Sequence, residues 1–275
     1  MKKYIAICSI VFTVALTASA QYGTGVLQTN PVNAPFLQVD LNGNGGPTQP
    51  GFTAWNIAGG NTPANSINNT FGSVGVTITE NSSNGQNAGA RNRGTMGTET
   101  WSPLYQDFYY TPHNSSDGFG VDYLSIAFTG LSASTTYEFT FWSFDVNSSA
   151  NNNYMAWGTV NPATYYAGIG YANGYTPQSA QAPGGAQGAP ILGRSFMGST
   201  YPSNFQNPEY SAAADFFVTT DGSGDATIYG WNDSVTYTGQ QASIINGFAI
   251  AIPEPSTLAL MGGALVMLGV IRRRK

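Results

Sequence analysis

Leu131-Ser132-Ala133-Ser134-Thr135-Thr136-Tyr137-Glu138-Phe139-Thr140-Phe141-Trp142-Ser143-Phe144 is the stretch on which the fold turns. A turn-forming run of Ser, Ala and Thr hands over to a segment where Tyr137, Phe139 and Phe141 share one parity. Trp142 and Phe144 share the other. Side chains on a strand alternate between its two faces. Both faces here carry large apolar rings, which predicts a central strand covered on both sides. Glu138 lies opposite in parity to Tyr137 and Phe139 and is expected on the solvent face.

Outward from that strand, further segments carry the period of half-buried strands. They are residues 74–79, where Val74, Val76 and Ile78 alternate with Gly and Thr, and residues 123–128, 215–219, 226–231 and 244–252. Asp221-Gly222, between two of these, is a hairpin signal. No long segment of helical period lies between the two ends. Only 8% of residues are charged, too few to lace the exposed faces of a helical bundle. The Gly, Asn, Ser and Thr in their place suit short strands joined by polar turns. The expected fold class is all-β: a jelly-roll-type β-sandwich ectodomain over 21–252, flanked by an N-terminal signal helix (1–20) and a short C-terminal transmembrane helix within 253–275.

The junction from Leu131 to Tyr137 resembles that of fibronectin-like and galactose-binding-like sandwiches. The resemblance implies a Leu buried beneath the loop and a Tyr at the head of the next strand, as in a tyrosine corner. Tyr137 is therefore expected to be structural. A wider series also resembles galactose-binding-like modules of exported bacterial proteins, over about residues 36–252. It consists of Val39-Asp40, Gln49-Pro50-Gly51-Phe52, Arg91-Asn92-Arg93-Gly94, Leu104-Tyr105-Gln106-Asp107-Phe108 and Ile245-Asn246-Gly247-Phe248. The resemblance implies a last strand near the first, and a module that binds glycans or accompanies glycan-active enzymes. The departure is an Asn-, Gly- and Tyr-rich insertion at about 146–200, too long for an ordinary connection. A disordered excursion, an extra hairpin layer and a binding lid are all open readings. Tyr165, Tyr166 and Tyr171 would stack on sugars or pin the loop to the sandwich.

Both ends read as addresses. Lys2 and Lys3 precede an apolar stretch, and Ala18-Ser19-Ala20 sets small residues at the cleavage positions, so that signal peptidase would leave Gln21 as the first mature residue. At the other end, Pro253-Glu254-Pro255-Ser256-Thr257 precedes an apolar run that opens at Leu258 and closes at Ile271. Arg272, Arg273, Arg274 and Lys275 follow. As a helix rising about 1.5 Å per residue, the run covers roughly 22–24 Å, short of a ~30 Å hydrocarbon core. The basic cluster would stay cytoplasmic and leave the main domain outside. This tail resembles the PEP-CTERM sorting signal, which is also classed as the C-terminal domain of ice-binding proteins, a label that concerns the tail alone. The resemblance implies passage through the inner membrane, transient anchoring there, and processing by an exosortase near Pro-Glu-Pro. The protein would then be released or re-anchored at the cell surface or in the extracellular matrix, among exopolysaccharide.

Charge narrows the partners. Between the two ends stand three basic residues, Arg91, Arg93 and Arg194, against thirteen acids, a balance near −10. Such a surface repels phosphate backbones, so nucleic acid is not an expected partner. The single cysteine, Cys8, falls inside the leader, leaving the mature chain without thiol or disulfide.

Catalytic chemistry is sparse. His113 is the only histidine and sits in a turn-like context; no nucleophile elbow or Walker loop occurs. Glu80, Glu99, Glu138 and Glu209 show no pairing by spacing, so no enzyme is expected. Asp40-Leu41-Asn42-Gly43-Asn44 begins like a calcium loop, but Gly51 stands where a bidentate Glu belongs. A looser Ca²⁺ site using Asp40, or Asp221 and Asp225, stays open, and no other cofactor or metal is expected. One of Arg91 and Arg93 is expected to pair with a carboxylate in the sandwich and the other to meet a sugar hydroxyl or uronate. Arg91, Arg93, Trp101, Tyr105 and Trp157 are the candidate ligand-binding set: flat rings for a sugar's apolar face, planar polar groups for its hydroxyls. The competing expectation is a structural or adhesive surface protein with no small ligand.

Overall fold

The computed structural model describes residues 21–22, 34–58, 60–61, 66–82, 88–94, 102–111, 122–145, 154–164, 191–196, 213–232 and 242–253. The signal segment, Trp101, His113, Glu99, Glu209, Tyr165, Tyr166, Tyr171 and the tail from Glu254 onward lie outside them. In chain order the strands are β1 (Gln21–Tyr22), β2 (Pro35–Gly43), β3 (Thr53–Ile57), β4 (Gly60–Asn61), β5 (Ser66–Phe71) and β6 (Val74–Asn81). Next come β7 (Gly89–Asn92), the short helix α1 (Ser102–Gln106), β8 (Asp107–Thr111), β9 (Tyr123–Thr129), β10 (Thr136–Trp142) and β11 (Tyr154–Gly158). The last are β12 (Ile191–Phe196), β13 (Ala213–Thr219), β14 (Ala226–Asn232), β15 (Ser243–Ile245) and β16 (Gly247–Ala251).

Three open sheets result. The first runs β1-β13-β10-β16-β2-β3, the second β12-β11-β14-β9-β6-β5, and the third β15-β8-β7-β4. The first two bury their inner faces against each other. Phe139 of β10 meets Phe128 of β9 at 5.0 Å between ring centroids, and Phe141 stacks on Trp157 of β11 at 4.6 Å. Phe248 of β16 closes the cluster against Phe128 at 5.4 Å. The third sheet adds Phe108, Tyr109, Ile244 and Ile245 to the same core.

β10 has the position that its two apolar faces predict. It is paired by β13 on one side and β16 on the other, with Phe139 opposite Phe216 and Ile250, and Phe141 opposite Phe248. Its far face packs Trp142, with Phe144 beyond the strand, among Leu104, Tyr105, Ala213 and Ala249. That second layer overturns one expectation. Glu138 does lie opposite Tyr137 and Phe139, but it is only 1% exposed, because a strand covered on both sides has no solvent face to offer. The tyrosine corner forms as expected: the Ser132 N–H donates to the Tyr137 phenolic oxygen at 3.0 Å, and Leu131 is buried beneath the loop.

Two further expectations are corrected. Asp221-Gly222 does not close a hairpin. β13 pairs with β1 and β10 in the first sheet, whereas β14 pairs with β11 and β9 in the second. The turn is a corner that carries the chain across the sandwich. The Asp221 carboxylate accepts the Ser223 and Asp225 N–H groups, and Gly224 takes φ +85° where an added Cβ would meet the Leu131 carbonyl. Residues 244–252 are likewise two strands. β15 pairs with β8 in the third sheet and β16 with β10 and β2 in the first, so the chain changes sheets at Asn246. The described part of the 146–200 insertion is regular structure. β11 and β12 extend the second sheet beyond β14, which makes these portions an extra layer edge.

Phe141 touches Phe139, Trp157, Phe216 and Phe248. Phe141→Ala is expected to cost about 3–5 kcal/mol, read as a lower urea midpoint with an unchanged slope. Equal midpoints for variant and wild type would refute the two-sided core.

Candidate functional site

The short pieces spread over about two hundred residues of sequence converge on one place, and Asn246 is at its centre. The residue is fully buried between β15 and β16. Its backbone N–H donates to the Trp142 carbonyl and its carbonyl accepts from Leu41 N–H, both at 2.8 Å. Its side-chain oxygen accepts the Phe144 N–H at 2.5 Å, while Nδ2 donates to the carbonyls of Asp107 (2.7 Å) and Phe144 (3.1 Å). Gly247 follows because a Cβ there would press on the Val39 carbonyl at 2.5 Å and on Leu104.

Around this node lies a pocket of buried acid. Asp40 projects from β2 and takes the Gln49 N–H on Oδ2 at 2.6 Å. Asn42, two residues on, donates from Nδ2 to the Thr48 hydroxyl at 2.7 Å. Asp107 opens β8, and its carboxylate occupies the space where Gly46 lacks a side chain. Burial pushes the Asp40 carboxyl up to about 7; the Gln49 N–H opposes this and the charge of Asp107 adds to it. Burial lifts Asp107 to about 7 as well, moderated by the nearby Gln106 amide.

Further buried acids lie elsewhere. Asp215 of β13 and Glu138 of β10 share the outer face of the first sheet, with the Thr140 hydroxyl donating to Asp215 at 2.5 Å. Burial raises Asp215 to about 7, against that hydrogen bond and with the help of the Glu138 charge. Glu80 is buried on β6, where the Thr111 hydroxyl donates to it at 3.0 Å. Its carboxyl is also raised, first by burial.

The candidate ligand set divides. Arg93 forms the expected ion pair, with Nε and Nη2 on the two Asp145 oxygens at 2.9 and 2.7 Å. Arg91 is exposed on β7, its guanidinium 4.8 Å from the centre of the Tyr110 ring. Tyr105 and Trp157 are corrections: both are interior rings, packed on Phe144 and Phe141, and a sugar does not reach them. Their value as apolar area exceeded their value as platforms. Asp107 and Asn246 were missed as a polar centre. The available signal was a charged or amide residue inside each of the two apolar pieces that contain them. Asp221, the alternative calcium ligand, spends one oxygen capping its own turn.

Residues 251–275 match the family model of the PEP-CTERM protein-sorting motif. That match implies an exported protein sorted to the cell surface through exosortase processing. No curated protein and no solved structure matches the chain. Among the described residues no helix is long and apolar enough to cross a membrane; the run from Leu258 to Ile271 lies outside them.

The acidic interior has a consequence for stability. Asp215 ordinarily titrates near 3.8 and in the fold near 7, so the folded state holds the proton more tightly. The resulting stabilisation is complete below about pH 4 and is lost as pH rises through about 7. Asp215→Asn is expected to flatten the fall in thermal midpoint between pH 4 and 8, with the other raised carboxyls, Glu80 among them, supplying the remaining slope. An unchanged profile would refute the assignment.

Proposed function

We propose that the chain is a non-catalytic protein of the cell surface or extracellular matrix, exported through the inner membrane, anchored there transiently and released to its place by an exosortase. Its working part is a jelly-roll sandwich of the galactose-binding-like kind, and exopolysaccharide or another glycan is its partner. The observation that carries the sorting reading is the junction between domain and tail. The sorting match begins at residue 251, the last residue of β16, a strand held by β10 and β2 on its two sides. Ala251 is buried and Ile252 is 57% exposed. The motif therefore starts where the sheet stops, and a cut at Pro253-Glu254-Pro255 leaves every described strand intact. The pairing of β16 with β2, last long strand beside first, supports the galactose-binding-like reading.

For the glycan, Arg91 is the residue that matters. A guanidinium over the Tyr110 ring, with exposed Asn92 beside it, offers planar donors suited to hydroxyls and uronate carboxylates.

Intact-mass measurement of surface-extracted protein is expected to give a chain that begins at Gln21 and ends near Pro253-Glu254-Pro255. Retention of Arg272–Lys275 on the surface form would overturn the sorting reading and leave a plain tail anchor. Calorimetric titration with the host's exopolysaccharide is expected to give weak binding that Arg91→Ala removes without unfolding the domain. No heat at millimolar sugar would leave the structural or adhesive role in place of glycan recognition.

A further inference from the structure

We infer that the loop after β2 holds a calcium ion, bound by the side chains of Asp40, Asn42 and Asp107. All three are at most 1% exposed, and each carries buried oxygen without a geometric hydrogen bond among the described residues. Asp40 Oδ1, Asn42 Oδ1 and both carboxylate oxygens of Asp107 are buried without a hydrogen-bond partner. The Gln106 side chain bears on the Asp107 carboxylate and opposes part of the effect of its burial. Unmet buried acceptors of this kind destabilise a fold, and charged ones do so more.

The three side chains converge on one short turn. Asp40 is tied to Gln49 and Asn42 to Thr48, and Asp107 fills the position left by the absent side chain of Gly46. The Asp40 carboxylate feels the charge of Asp107, and protein cations are scarce. Arg93 is committed to Asp145 and Arg91 lies over Tyr110. Two carboxylates and an amide oxygen, with no ion pair to a cation among the described residues, make a hard, all-oxygen donor set.

Among the described residues no three of His, Cys, Asp and Glu gather for one metal, which argues against a zinc-type centre. Calcium differs in accepting amide oxygens, backbone carbonyls and water alongside carboxylates, to a total of six to eight. A turn rich in Gly and Asn supplies backbone oxygens at close range. The ion would fasten β2, β8 and the loop to β3 at the Asn246 node, and its place is structural rather than catalytic.

The test uses the full chain, stripped with EGTA and dialysed against radioactive CaCl₂. One ion is expected to bind per chain, with a Kd of roughly 0.1–1 mM, the range of extracellular calcium modules. Calcium is expected to raise the thermal midpoint by several degrees, and EGTA to reverse the rise. Asp107→Asn and Asp40→Asn should each weaken binding at least tenfold, while Asp225→Asn, at the far turn, should bind as wild type does. Absence of bound calcium on the wild-type chain at 5 mM would overturn the inference whether or not the variants fold. Loss of binding in Asp225→Asn, or equal affinity for Mg²⁺, would overturn the site or the ion assigned to it.

Discussion

Asn246 changes sheets for the chain, and the hydrogen bonds of its buried amide hold the surrounding strands in place. A side-chain amide in an apolar interior is tolerated only when its donors and acceptor are met. Here the partners are the backbone of Phe144, after β10, and of Asp107, at the start of β8. The backbone of the same residue bonds to Trp142 and Leu41. One residue thereby fixes the first sheet against the third. Any slip in register would leave several buried groups unpaired at once, so the node selects one arrangement from those that hydrophobic burial alone would accept.

The strands built on alternation were legible, because period two and aromatic content are local signals. β6, β9, β10, β13 and β14 fall where the pattern puts them, and the Tyr137 corner was visible in seven residues. What local pattern cannot carry is partnership. Asp221-Gly222 reports a chain reversal, yet whether the reversal returns along the same sheet or crosses to the other depends on distant strands. Residues 244–252 look continuous because the apolar run is continuous; the break comes from a single Asn whose partners lie more than a hundred positions away. β2 and β3 pair in parallel, a register set by the loop between them rather than by either strand. β5, Ser-Ile-Asn-Asn-Thr-Phe, is too polar to announce itself and owes its place to pairing with β6.

The candidate site shows the same division. One of Arg91 and Arg93 was expected to find a carboxylate, since a sparse cation in an acidic domain has many to choose from, and Arg93 found Asp145. Tyr105 and Trp157 were misjudged because composition does not separate a ring that stacks on sugar from one that stacks on phenylalanine. In a sandwich whose two sheets meet through Phe128, Phe139, Phe141 and Phe248, the largest rings fill the gap between layers. Glu138 failed for the same reason: parity assigns a face but not what covers it.

The node also bears on how the domain tolerates sorting. β16 ends at Ala251, buried and paired on both edges, and the strand begins one residue after Asn246. Pulling on the tail would load β16 against β10 and β2 along its length, shearing all of its cross-strand hydrogen bonds together rather than peeling them singly. Directly upstream, the pull reaches the amide that joins the sheets. A domain attached through an edge strand would fray from its point of attachment, whereas attachment through an interior strand spreads the force over two ladders. Attachment through an interior strand therefore lets the domain keep its fold while the sorting motif that follows it is processed.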